Sequence, residues 1–442
     1  MKKFHITTFG CQMNKHDSER IAGLLTEHGY SQTDDPNAAQ IIIFNTCTVR
    51  EHAEDRFFGN LNNLRARKRN DPNLIIAVGG CVAQKERELI FKKAPHTDIV
   101  FGTHNMPNLG HMIESVEQGR TAICEIADAI EIMPTTLPSV REEKHHAWVP
   151  IIIGCNNFCT YCIVPLTRGR ELSRPLEDII AEVERLVADG VIEITLLGQN
   201  VNSYGRDIYK KSEFAKLLNE LNNIAGLQRI RFTTSHPKDL TDDIIEAVAS
   251  NKKVCEHIHL PVQAGSNRIL KAMNRKYTKE EYLKTVKKIY AAIPGVSLTT
   301  DIMVGFPGET EADFLDTLDV VEKARYDSAF TFIFSPREGT LAAKMENQIP
   351  AQIKADRFDR LVKLQNNLSF EKNKELLGRD VEVFVEGVSK KNPNMLTGRT
   401  RTNKVVNFAG SNDLIHKEAI INITEAHTWF LKGELKEVLL LN

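Results

Sequence analysis

The chain has 442 residues, of which 42% are hydrophobic and 26% are charged, and its formal net charge is −1. This length allows roughly two to four domains, each with its own core. The sequence shows neither a long apolar run nor a signal-peptide pattern, which excludes a predicted membrane span, and we expect a cytoplasmic protein. Eight cysteines in such a protein favour metal binding or catalysis over a disulfide framework. The near-zero charge means that any nucleic-acid binding would need a local patch.

From residue 3 to about residue 129, predicted strands alternate with predicted helices. The strands are apolar on both faces, which favours a parallel sheet covered by helices on each side. They are predicted at residues 4–9, 40–44, 74–78 and 98–101, and a long charged helix is predicted to end near residue 69. The first domain is therefore predicted to be a parallel-sheet α/β domain.

Three cysteines, Cys11, Cys47 and Cys81, each follow one of the first three predicted strands. In an open parallel sheet the carboxyl ends of the strands form one edge, where ligands bind. The three thiols are therefore predicted to converge and to hold an iron–sulfur cluster with one iron left open. Gly10 and the Gly79–Gly80 pair would let the backbone approach that cluster closely. The alternative is that the three are ordinary buried thiols near strand ends.

Residues 132–146 are rich in proline, threonine and charge, and they are predicted to form an exposed linker. The adjacent histidines His145 and His146 could suggest a metal, but we expect both to be solvated. The second domain is then expected to begin at about residue 147.

A loop with three closely spaced cysteines, Cys155, Cys159 and Cys162, follows the apolar run 149–153, which is predicted to be a buried strand. Three thiolates this close together bind a soft metal or a cluster, or else form a disulfide. Zinc sites built from paired C-x2-C motifs need a second such motif, and the chain has none. The C-x3-C-x2-C spacing suits a cubane iron–sulfur cluster with one open iron. The alternative is a chance meeting of three core thiols.

Strands and helices continue to alternate from residue 148 to about residue 345. Six βα units predict a partial (β/α)6 barrel, open on one side, with its chemistry at the carboxyl ends of the strands. The strands are predicted near residue 151 and at residues 192–197, 228–232, 257–261, 297–304 and 328–334, with helices such as 176–187 and 280–290 between them.

Residues 351–375 form a charged predicted helix, and short strands follow it at residues 381–385, 405–408 and 419–423. About sixty-five residues of short strands predict a small β-barrel of the oligonucleotide-binding kind. The segment 389–412 has no acidic residue, which favours contact with phosphates. Its cations are Lys390, Lys391, Arg399, Arg401 and Lys404. The alternative is a solvated β edge protected by lysines.

The loop from Cys155 to Cys162 resembles the signature of the radical S-adenosylmethionine (SAM) superfamily. With Cys11, Cys47 and Cys81 ahead of it, the chain resembles the methylthiotransferase family, and its last part resembles a TRAM domain, an RNA-binding module. The resemblance implies two [4Fe-4S] clusters, with the two sets of cysteines as their catalytic metal ligands. It also implies an N-terminal methylthiotransferase domain, a radical SAM domain and a TRAM-like domain at residues 1–131, 147–375 and 376–442.

The same resemblance assigns residues to the SAM pocket. Tyr161 occupies the position near the adenine, and Gly198, Gln199 and Asn200 stand where the family holds the SAM amino group. The ends of later strands are expected to complete the pocket with Ser235, Gln263, Gly305 and Pro307.

The resemblance gives a role to Arg168 and Arg170 and none to Cys124 and Cys255. Arg168 and Arg170, just after the cluster loop, are expected to steer RNA phosphates. Cys124 and Cys255 match no ligand of the family, so we expect both to be inert core thiols.

Within the family, residues 155–174 and 397–408 are most similar to the branch that modifies a prenylated adenosine in tRNA. That similarity implies an enzyme that inserts a methylthio group at C2 of N6-dimethylallyl(isopentenyl)adenosine at position 37, beside the anticodon. One SAM would methylate a sulfur at the open iron of the first cluster, and a second SAM, cleaved at the other cluster, would give a radical that attacks C2. A flavodoxin- or ferredoxin-type electron donor is implied, and we expect a monomer.

Other functions remain open at this point. Two related branches share the cysteines, one acting on N6-threonylcarbamoyladenosine in tRNA and one on an aspartate of a ribosomal protein. From a different class, a non-catalytic iron–sulfur electron carrier would cleave no SAM. A zinc-dependent RNA-binding module would differ in its metal and its absorption spectrum.

Overall fold

The structure is a computed structural model, and it describes residues 2–48, 51–120, 122–128 and 137–439. Its strands form a six-stranded sheet, two three-stranded sheets, a two-stranded ribbon and a closed barrel. This is the predicted multidomain α/β architecture with a small β-barrel at its end. None of the described helices is long and apolar enough to cross a membrane.

The N-terminal unit is a six-stranded sheet. Its strands are β1 (Lys3–Thr8), β2 (Ser31–Gln32), β3 (Ile41–Thr46), β4 (Ile75–Gly80), β5 (Ile99–Phe101) and β6 (Ile123–Glu125). They lie in the order β2-β1-β3-β4-β5-β6, and every neighbouring pair is parallel. The predicted parallel sheet is therefore confirmed. Strands β2 and β6 have only two and three residues, too few to give a periodic signal in the sequence.

Helices cover both faces of this sheet. They are α1 (Gln12–Glu27), α2 (Glu51–Asn70), α3 (Cys81–Glu86), α4 (Leu89–Lys93) and α5 (Leu109–Glu117). On one face Ile43 packs in a core with Ile21 of α1, and on the other Phe44 packs with Phe57 of α2. Every residue of β3 and β4 is buried, which explains their unbroken apolar sequences.

The central unit contains six parallel strands and a short ribbon. The strands are β7 (His146–Pro150), β8 (Ile152–Ile153), β9 (Leu172–Ser173), β10 (Glu193–Leu197), β11 (Arg229–Thr233), β12 (His257–His259), β13 (Ser297–Val304) and β14 (Ser328–Ile333). Strands β7-β10-β11 form one parallel sheet and β12-β13-β14 another. A bridge between Ile230 and Val254 joins the two sheets. Among the described residues β7 and β14 do not pair, so the barrel is open on one side, as predicted.

Eight helices surround the described part of this barrel. They are α6 (Val164–Thr167), α7 (Leu176–Ala188), α8 (Arg206–Tyr209), α9 (Phe214–Asn222), α10 (Asp242–Ser250), α11 (Asn267–Ala272), α12 (Lys279–Ala292) and α13 (Glu311–Ala324). Strand residues such as Ile194, Ile230 and Ile302 face the helices and form the main core. The alternate residues, among them Arg231 and His259, face the inside of the barrel, which is therefore polar.

The predicted exposed linker is wrong in its last residues. Its first part, residues 132–136, lies outside the described residues, but β7 already begins at His146. His145 and His146 are 7% and 8% exposed, and His146 Nε2 lies 2.9 Å from the Thr195 hydroxyl. The His145 ring also stacks on Phe384 of the C-terminal barrel, with the ring centres 4.9 Å apart. Tertiary packing, which a polar local composition does not reveal, buries both histidines, His145 against the C-terminal barrel and His146 against β10.

The C-terminal unit is a closed five-stranded barrel after a long helix. Helix α14 (Ala351–Lys374) is followed by β15 (Asp380–Val388), β16 (Leu396–Thr400), β17 (Val405–Phe408), β18 (Glu418–Ala426) and β19 (Leu431–Leu439). The strands close in the order β15-β16-β17-β19-β18, which confirms the predicted small barrel. The sequence does not predict β16 and β19, because glycine and charged residues interrupt their apolar pattern.

This barrel packs against the amino ends of the central strands, away from the carboxyl ends where chemistry is expected. Arg229, the first residue of β11, is 1% exposed and donates to Glu418 and Glu382, each at 2.7 Å. Arg231 donates to the carbonyls of Thr400 and Arg401, each at 3.0 Å. The contact is therefore a buried, charged interface that fixes the barrel on the central unit.

Candidate functional site

The first three cysteines meet at the carboxyl edge of the N-terminal sheet, as predicted. Cys11 caps α1 directly after β1, Cys47 follows β3, and Cys81 is the first residue of α3 after β4. Cys47 is close enough to Cys11 to lower the pKa of its thiol, and the Arg168 guanidinium is close enough to Cys81 to act on the pKa of that thiol. Arg168 also lies close enough to Cys11 to influence its charge. We name Cys11, Cys47 and Cys81 the auxiliary cysteines.

A buried amide network holds this edge in place. Asn14, on the first turn of α1, donates to Asn45 Oδ1 at 3.1 Å and to the Thr46 carbonyl at 2.9 Å. Asn45 Nδ2 donates back to the Asn14 carbonyl at 2.8 Å. The Cys11 thiol donates to Asn14 Oδ1 at 3.2 Å. The network thus fixes the spacing between the start of α1 and the end of β3, and with it the spacing of two auxiliary cysteines.

The glycines beside the auxiliary cysteines have different roles. Gly10 has φ +117°, and a side chain there would lie 2.2 Å from Cys47 Cβ, so only glycine fits beside this thiol. That the Gly79–Gly80 pair lets the backbone approach a cluster stays a prediction. A side chain at Gly79 would meet the Phe101 ring, and one at Gly80 would meet the backbone of Thr46. Both serve close packing between neighbouring strands.

The auxiliary cysteines differ in their protonation. The hydrogen bond from Cys47 and the nearby Arg168 guanidinium lower the pKa of the Cys11 thiol to about 6, against the opposing effect of burial. Burial raises the pKa of the Cys81 thiol, although Arg168 opposes this. Thiolates are the form that binds iron, so cluster binding has to release protons here.

The second set of cysteines lies in the loop between β8 and β9. The Arg275 guanidinium donates to Cys159 Sγ at 3.3 Å, and Asn157 Nδ2 lies 3.5 Å from Cys155 Sγ. The loop is also tied to the segment after α11, since the Thr160 N–H donates to the Met273 carbonyl at 3.1 Å. We name Cys155, Cys159 and Cys162 the loop cysteines.

Burial dominates the acidity of two loop cysteines, Cys155 and Cys162. It raises the pKa of Cys155 to about 11 and that of Cys162 to about 12, with the neighbouring Cys159 contributing to both. Without a ligand these two thiols are therefore protonated at neutral pH. A bound cluster would have to displace those protons, and the Arg275 cation beside Cys159 favours the resulting negative charge.

The cysteine sets suit a cluster better than a single metal ion. Among the described side chains, no group of three histidines, cysteines, aspartates or glutamates surrounds one point that a single ion could occupy. A structural zinc ion needs four ligands around such a point. In a cubane cluster each cysteine binds a different iron, so a set of three cysteines can hold it without a fourth ligand.

Several buried polar atoms that have no hydrogen-bond partner among the described residues lie after β10 and β11. They are Gln199 Oε1, Asn200 Oδ1, Asn202 Nδ2 and Ser235 Oγ. Buried polar groups normally have partners, so these atoms fit a polar ligand such as the amino-acid part of SAM. Lys238, in the turn after Ser235, donates to Asn157 Oδ1 at 2.9 Å, which places this pocket beside the loop cysteines.

The other residues expected around SAM are Tyr161, Gln263, Gly305 and Pro307. The Tyr161 ring packs against the main core, and burial raises the pKa of its hydroxyl well above the ordinary value. The Gln263 N–H donates to the Asp301 carbonyl at 2.8 Å at the carboxyl ends of β12 and β13. Gly305 and Pro307 lie in the turn after β13.

Close packing explains why positions 198 and 305, two members of this set, are glycines. A side chain at Gly305 would meet Lys354 of α14 at 2.4 Å, and one at Gly198 would meet Ile152 at 2.5 Å. Their contact with SAM stays a prediction.

The residues expected to bind RNA divide into two groups. Lys390, Lys391 and Arg170 are exposed, and Arg170 stacks over the half-exposed Phe158 ring at 4.1 Å. Arg399 pairs with Glu386 at 2.8 Å on the barrel surface. These four cations can reach solvent.

The other three predicted RNA contacts are engaged within the protein. Arg401 pairs with Glu256 at 2.7 Å, and Lys404 pairs with Asp327 at 2.5 Å, so both hold the barrel on the central unit. Arg168 is 7% exposed and pairs with Asp17 of α1 at 2.8 Å. Charge counting along the sequence cannot distinguish an exposed cation from one with an acidic partner more than seventy residues away.

The remaining cysteines lie away from both sets. Cys255 is 1% exposed, and Cys124 is half-buried in β6. Sequence reasoning missed Asp17 and Arg275, which contact Arg168 and Cys159, because no motif marks either residue.

Three family models match the chain. The Radical SAM superfamily matches residues 149–321, an uncharacterised family named UPF0004 matches residues 3–102, and the TRAM domain matches residues 374–436. The matches follow the three units of the structure in order. Together they account for both sets of cysteines and for the C-terminal barrel.

Curated relatives match almost the full length of the chain. A protein of Thermoanaerobacter pseudethanolicus is 54% identical over 438 residues, covering 99% of this chain and 93% of the relative. One from Carboxydothermus hydrogenoformans is 52% identical, covering 98% and 99%. Both are named tRNA-2-methylthio-N(6)-dimethylallyladenosine synthase.

Solved structures share the fold at low sequence identity. The radical SAM methyltransferase TsrM from Kitasatospora setae, with cobalamin and a [4Fe-4S] cluster bound, is 13% identical, with a TM-score of 0.56. The similarity covers 78% of this chain and 74% of TsrM. The cobalamin-dependent SAM radical enzyme OxsB, also 13% identical, has a TM-score of 0.55, over 83% of this chain and 56% of OxsB.

Proposed function

Because this chain belongs to the tRNA-2-methylthio-N6-dimethylallyladenosine synthase family, we propose that it inserts a methylthio group at C2 of N6-dimethylallyladenosine in tRNA. It is a radical SAM methylthiotransferase. The observation that supports the proposal most is the joining of the two cysteine sets through Arg168. This residue follows the loop cysteines in the chain, donates to Asp17 on the helix that Cys11 caps, and acts on the pKa of Cys81.

The reaction needs more than acid–base chemistry. The C2–H bond of an adenine is not acidic, so a general base cannot remove its proton. When bound, two [4Fe-4S] clusters and SAM supply one-electron chemistry at this carbon and the sulfur to be inserted. We assign one cluster to the auxiliary cysteines and one to the loop cysteines.

The chain's own residues bind and orient these groups. Arg275 compensates the charge at the Cys159 thiolate and, through a second bond to the Pro261 carbonyl at 2.9 Å, holds the loop against β12. We propose that Gln199, Asn200 and Ser235, whose buried atoms have no partner among the described residues, bind the ammonium and carboxylate of SAM. Burial of the pocket keeps water from a reactive intermediate.

The proposed RNA-binding surface consists of exposed cations, which can reach the phosphates of the RNA. We propose that Lys390, Lys391 and Arg170 contact phosphates of the anticodon loop, whose unpaired bases can be splayed out of the stack. Arg399 can join them, because an exposed ion pair such as that with Glu386 is weak. Arg401, Lys404 and Arg168 are then positioning residues rather than RNA contacts.

The remaining partners are proposed from the chemistry. Reduction of a cluster needs a low-potential electron donor of the flavodoxin or ferredoxin type. We propose that the enzyme acts as a monomer in the cytoplasm, where its tRNA substrate is found. We propose that the three domains span residues 1–131, 147–375 and 376–442.

A substrate comparison tests the proposed function. Anaerobically reconstituted enzyme would be incubated with SAM, a reductant and an anticodon stem-loop that carries either N6-dimethylallyladenosine or N6-threonylcarbamoyladenosine. Mass spectrometry of the digested RNA should show a methylthio nucleoside from the prenylated RNA only. Modification of the threonylcarbamoyl RNA instead would assign the chain to the related branch. Absence of 5′-deoxyadenosine with every substrate would favour a non-catalytic electron carrier.

A further inference from the structure

A single arginine joins the two cysteine sets. Arg168 follows α6, the helical turn directly after the loop cysteines, and its guanidinium crosses to the N-terminal unit. Its Nη2 donates to Asp17 Oδ2 at 2.8 Å, and the same guanidinium is close enough to Cys81 and Cys11 to act on the pKa of both thiols. The cation therefore comes from the central unit and acts on the cysteines of the other unit.

The surroundings of Arg168 are shielded from solvent. It lines a cavity of about 50 Å³ between the two units, together with Asp17, His16, Arg20 and His104. By the same volume measure one water needs about 10–15 Å³, so only a few waters fit beside the guanidinium. A unit charge in such a place acts on its neighbours much more strongly than a surface charge does.

The negative charge that opposes Arg168 is the carboxylate of Asp17. Burial would raise the pKa of Asp17, but Arg168 and then His16 hold it at about 2, so the carboxylate is ionised. Burial lowers the pKa of His16, which favours its neutral form. The pair Arg168–Asp17 thus presents one positive and one negative charge to the auxiliary cysteines, and both charges act on the Cys81 thiol.

A second contact keeps Arg168 in position. The Thr103 hydroxyl donates to the carbonyl of Thr167, the residue before Arg168, at 2.9 Å. The Thr103 N–H in turn donates at 3.0 Å to Gln84 Oε1 on α3, the helix that begins with Cys81. The segment that carries Arg168 is therefore tied to the element that carries Cys81.

We propose that Arg168 is a positioning residue that sets the reduction potential of the cluster on the auxiliary cysteines, and that Asp17 limits its effect. The inference rests on the proposed function, because it requires a cluster at Cys11, Cys47 and Cys81. Hydrogen bonds to sulfur and nearby charge set the potential of an iron–sulfur cluster. A buried cation stabilises the more negative reduced state, so it raises the potential. Arginine suits the role because its planar fork can bond a carboxylate and a sulfur together.

The test uses the full chain with Cys155, Cys159 and Cys162 replaced by alanine, so that only the auxiliary cluster is observed. Potentiometric titration followed by electron paramagnetic resonance gives the midpoint potential. Arg168→Gln should make it more negative, Asp17→Asn should make it less negative, and Arg168→Lys should fall between Arg168→Gln and the parent. Arg185→Gln, on the exposed face of α7, should leave it unchanged.

The opposite signs separate an electrostatic role from simple damage to the fold. Shifts of the same sign in Arg168→Gln and Asp17→Asn, or no shift in either, would overturn the inference. If Arg168→Gln loses its iron, Asp17→Asn decides alone: a less negative potential supports the inference and any other result contradicts it. A parent chain that binds no iron would overturn the auxiliary cluster of the proposed function itself, and the inference with it.

Discussion

The ionisation of a buried side chain makes the stability of the fold depend on pH, and Glu19 is such a side chain. Glu19, on α1, is 8% exposed, and its Oε1 accepts the Glu142 N–H at 3.2 Å. Burial raises the pKa of the Glu19 carboxyl from 4.5 to about 7. A folded-state pKa above the unfolded value means that the favourable contribution is complete below about pH 4.5 and is lost as the pH rises through about 7.

Glu19→Gln should therefore remove part of the pH dependence of stability. Glutamine keeps the acceptor oxygen but cannot ionise, so the variant should have a higher Tm than the parent at pH 8 and a similar Tm at pH 4.5. Thermal unfolding at a series of pH values measures this difference. An equal difference at both pH values would show that Glu19 is not buried as the structure has it.

The Ser235 hydroxyl is a second residue-scale feature, a buried donor with no partner. Ser235→Ala should not lower the Tm of the unliganded protein, since it removes an unsatisfied group. The same change should weaken SAM binding by roughly 2- to 10-fold, the value of one lost hydrogen bond of about 0.5–1.5 kcal/mol. Equilibrium dialysis with the reconstituted enzyme measures it. The exposed Ser250→Ala serves as control, and unchanged SAM affinity in Ser235→Ala would remove Ser235 from the pocket.

At the scale of elements, the junction between β1 and α1 shapes the auxiliary site. Gly10→Ala should prevent cluster binding there, because its side chain would overlap Cys47 and its φ of +117° disfavours alanine. Iron analysis should then give about four irons per chain instead of about eight. Gly29→Ala is a matched control, since Gly29 also has a positive φ, +84°, but has no atom within 4 Å of the new side chain. A full iron content in Gly10→Ala would contradict the geometry of this junction.

The contact between the C-terminal barrel and the central strands is another element-scale feature. Arg229→Met should weaken it by about 3 kcal/mol, because Glu382 and Glu418 lose their shared buried partner. Calorimetry should show an earlier unfolding transition for the barrel. The exposed Arg185→Met is the control. Unfolding that is the same in Arg229→Met and the control would mean that the charged network does not hold the barrel.

For the whole molecule, the sequence predicts the order of the units and the convergence of cysteines much better than it predicts partners of single charges. The β3 and β4 sequences are apolar throughout because helices cover both faces, and this pattern is visible without a structure. The edge rule for parallel sheets then places Cys11, Cys47 and Cys81 together.

Ion pairs between residues that are far apart in the chain leave no pattern in the local sequence. Arg168 and Asp17 are 151 positions apart, and Arg401 and Glu256 are 145 apart, so their pairing depends on how whole units pack. His145 and His146 were expected in solvent for the same reason, although both are buried. Local composition describes a segment, whereas burial is decided by what packs against it.

The central claim is that one chain holds two clusters on two separate sets of three cysteines. Quantification of iron and sulfide in anaerobically reconstituted protein tests it most directly, with and without the combined substitutions Cys11→Ala, Cys47→Ala and Cys81→Ala. We predict about eight irons per chain in the parent and about four in the variant. An iron content that stays the same in the variant would contradict the auxiliary cluster and the account of sulfur delivery built on it.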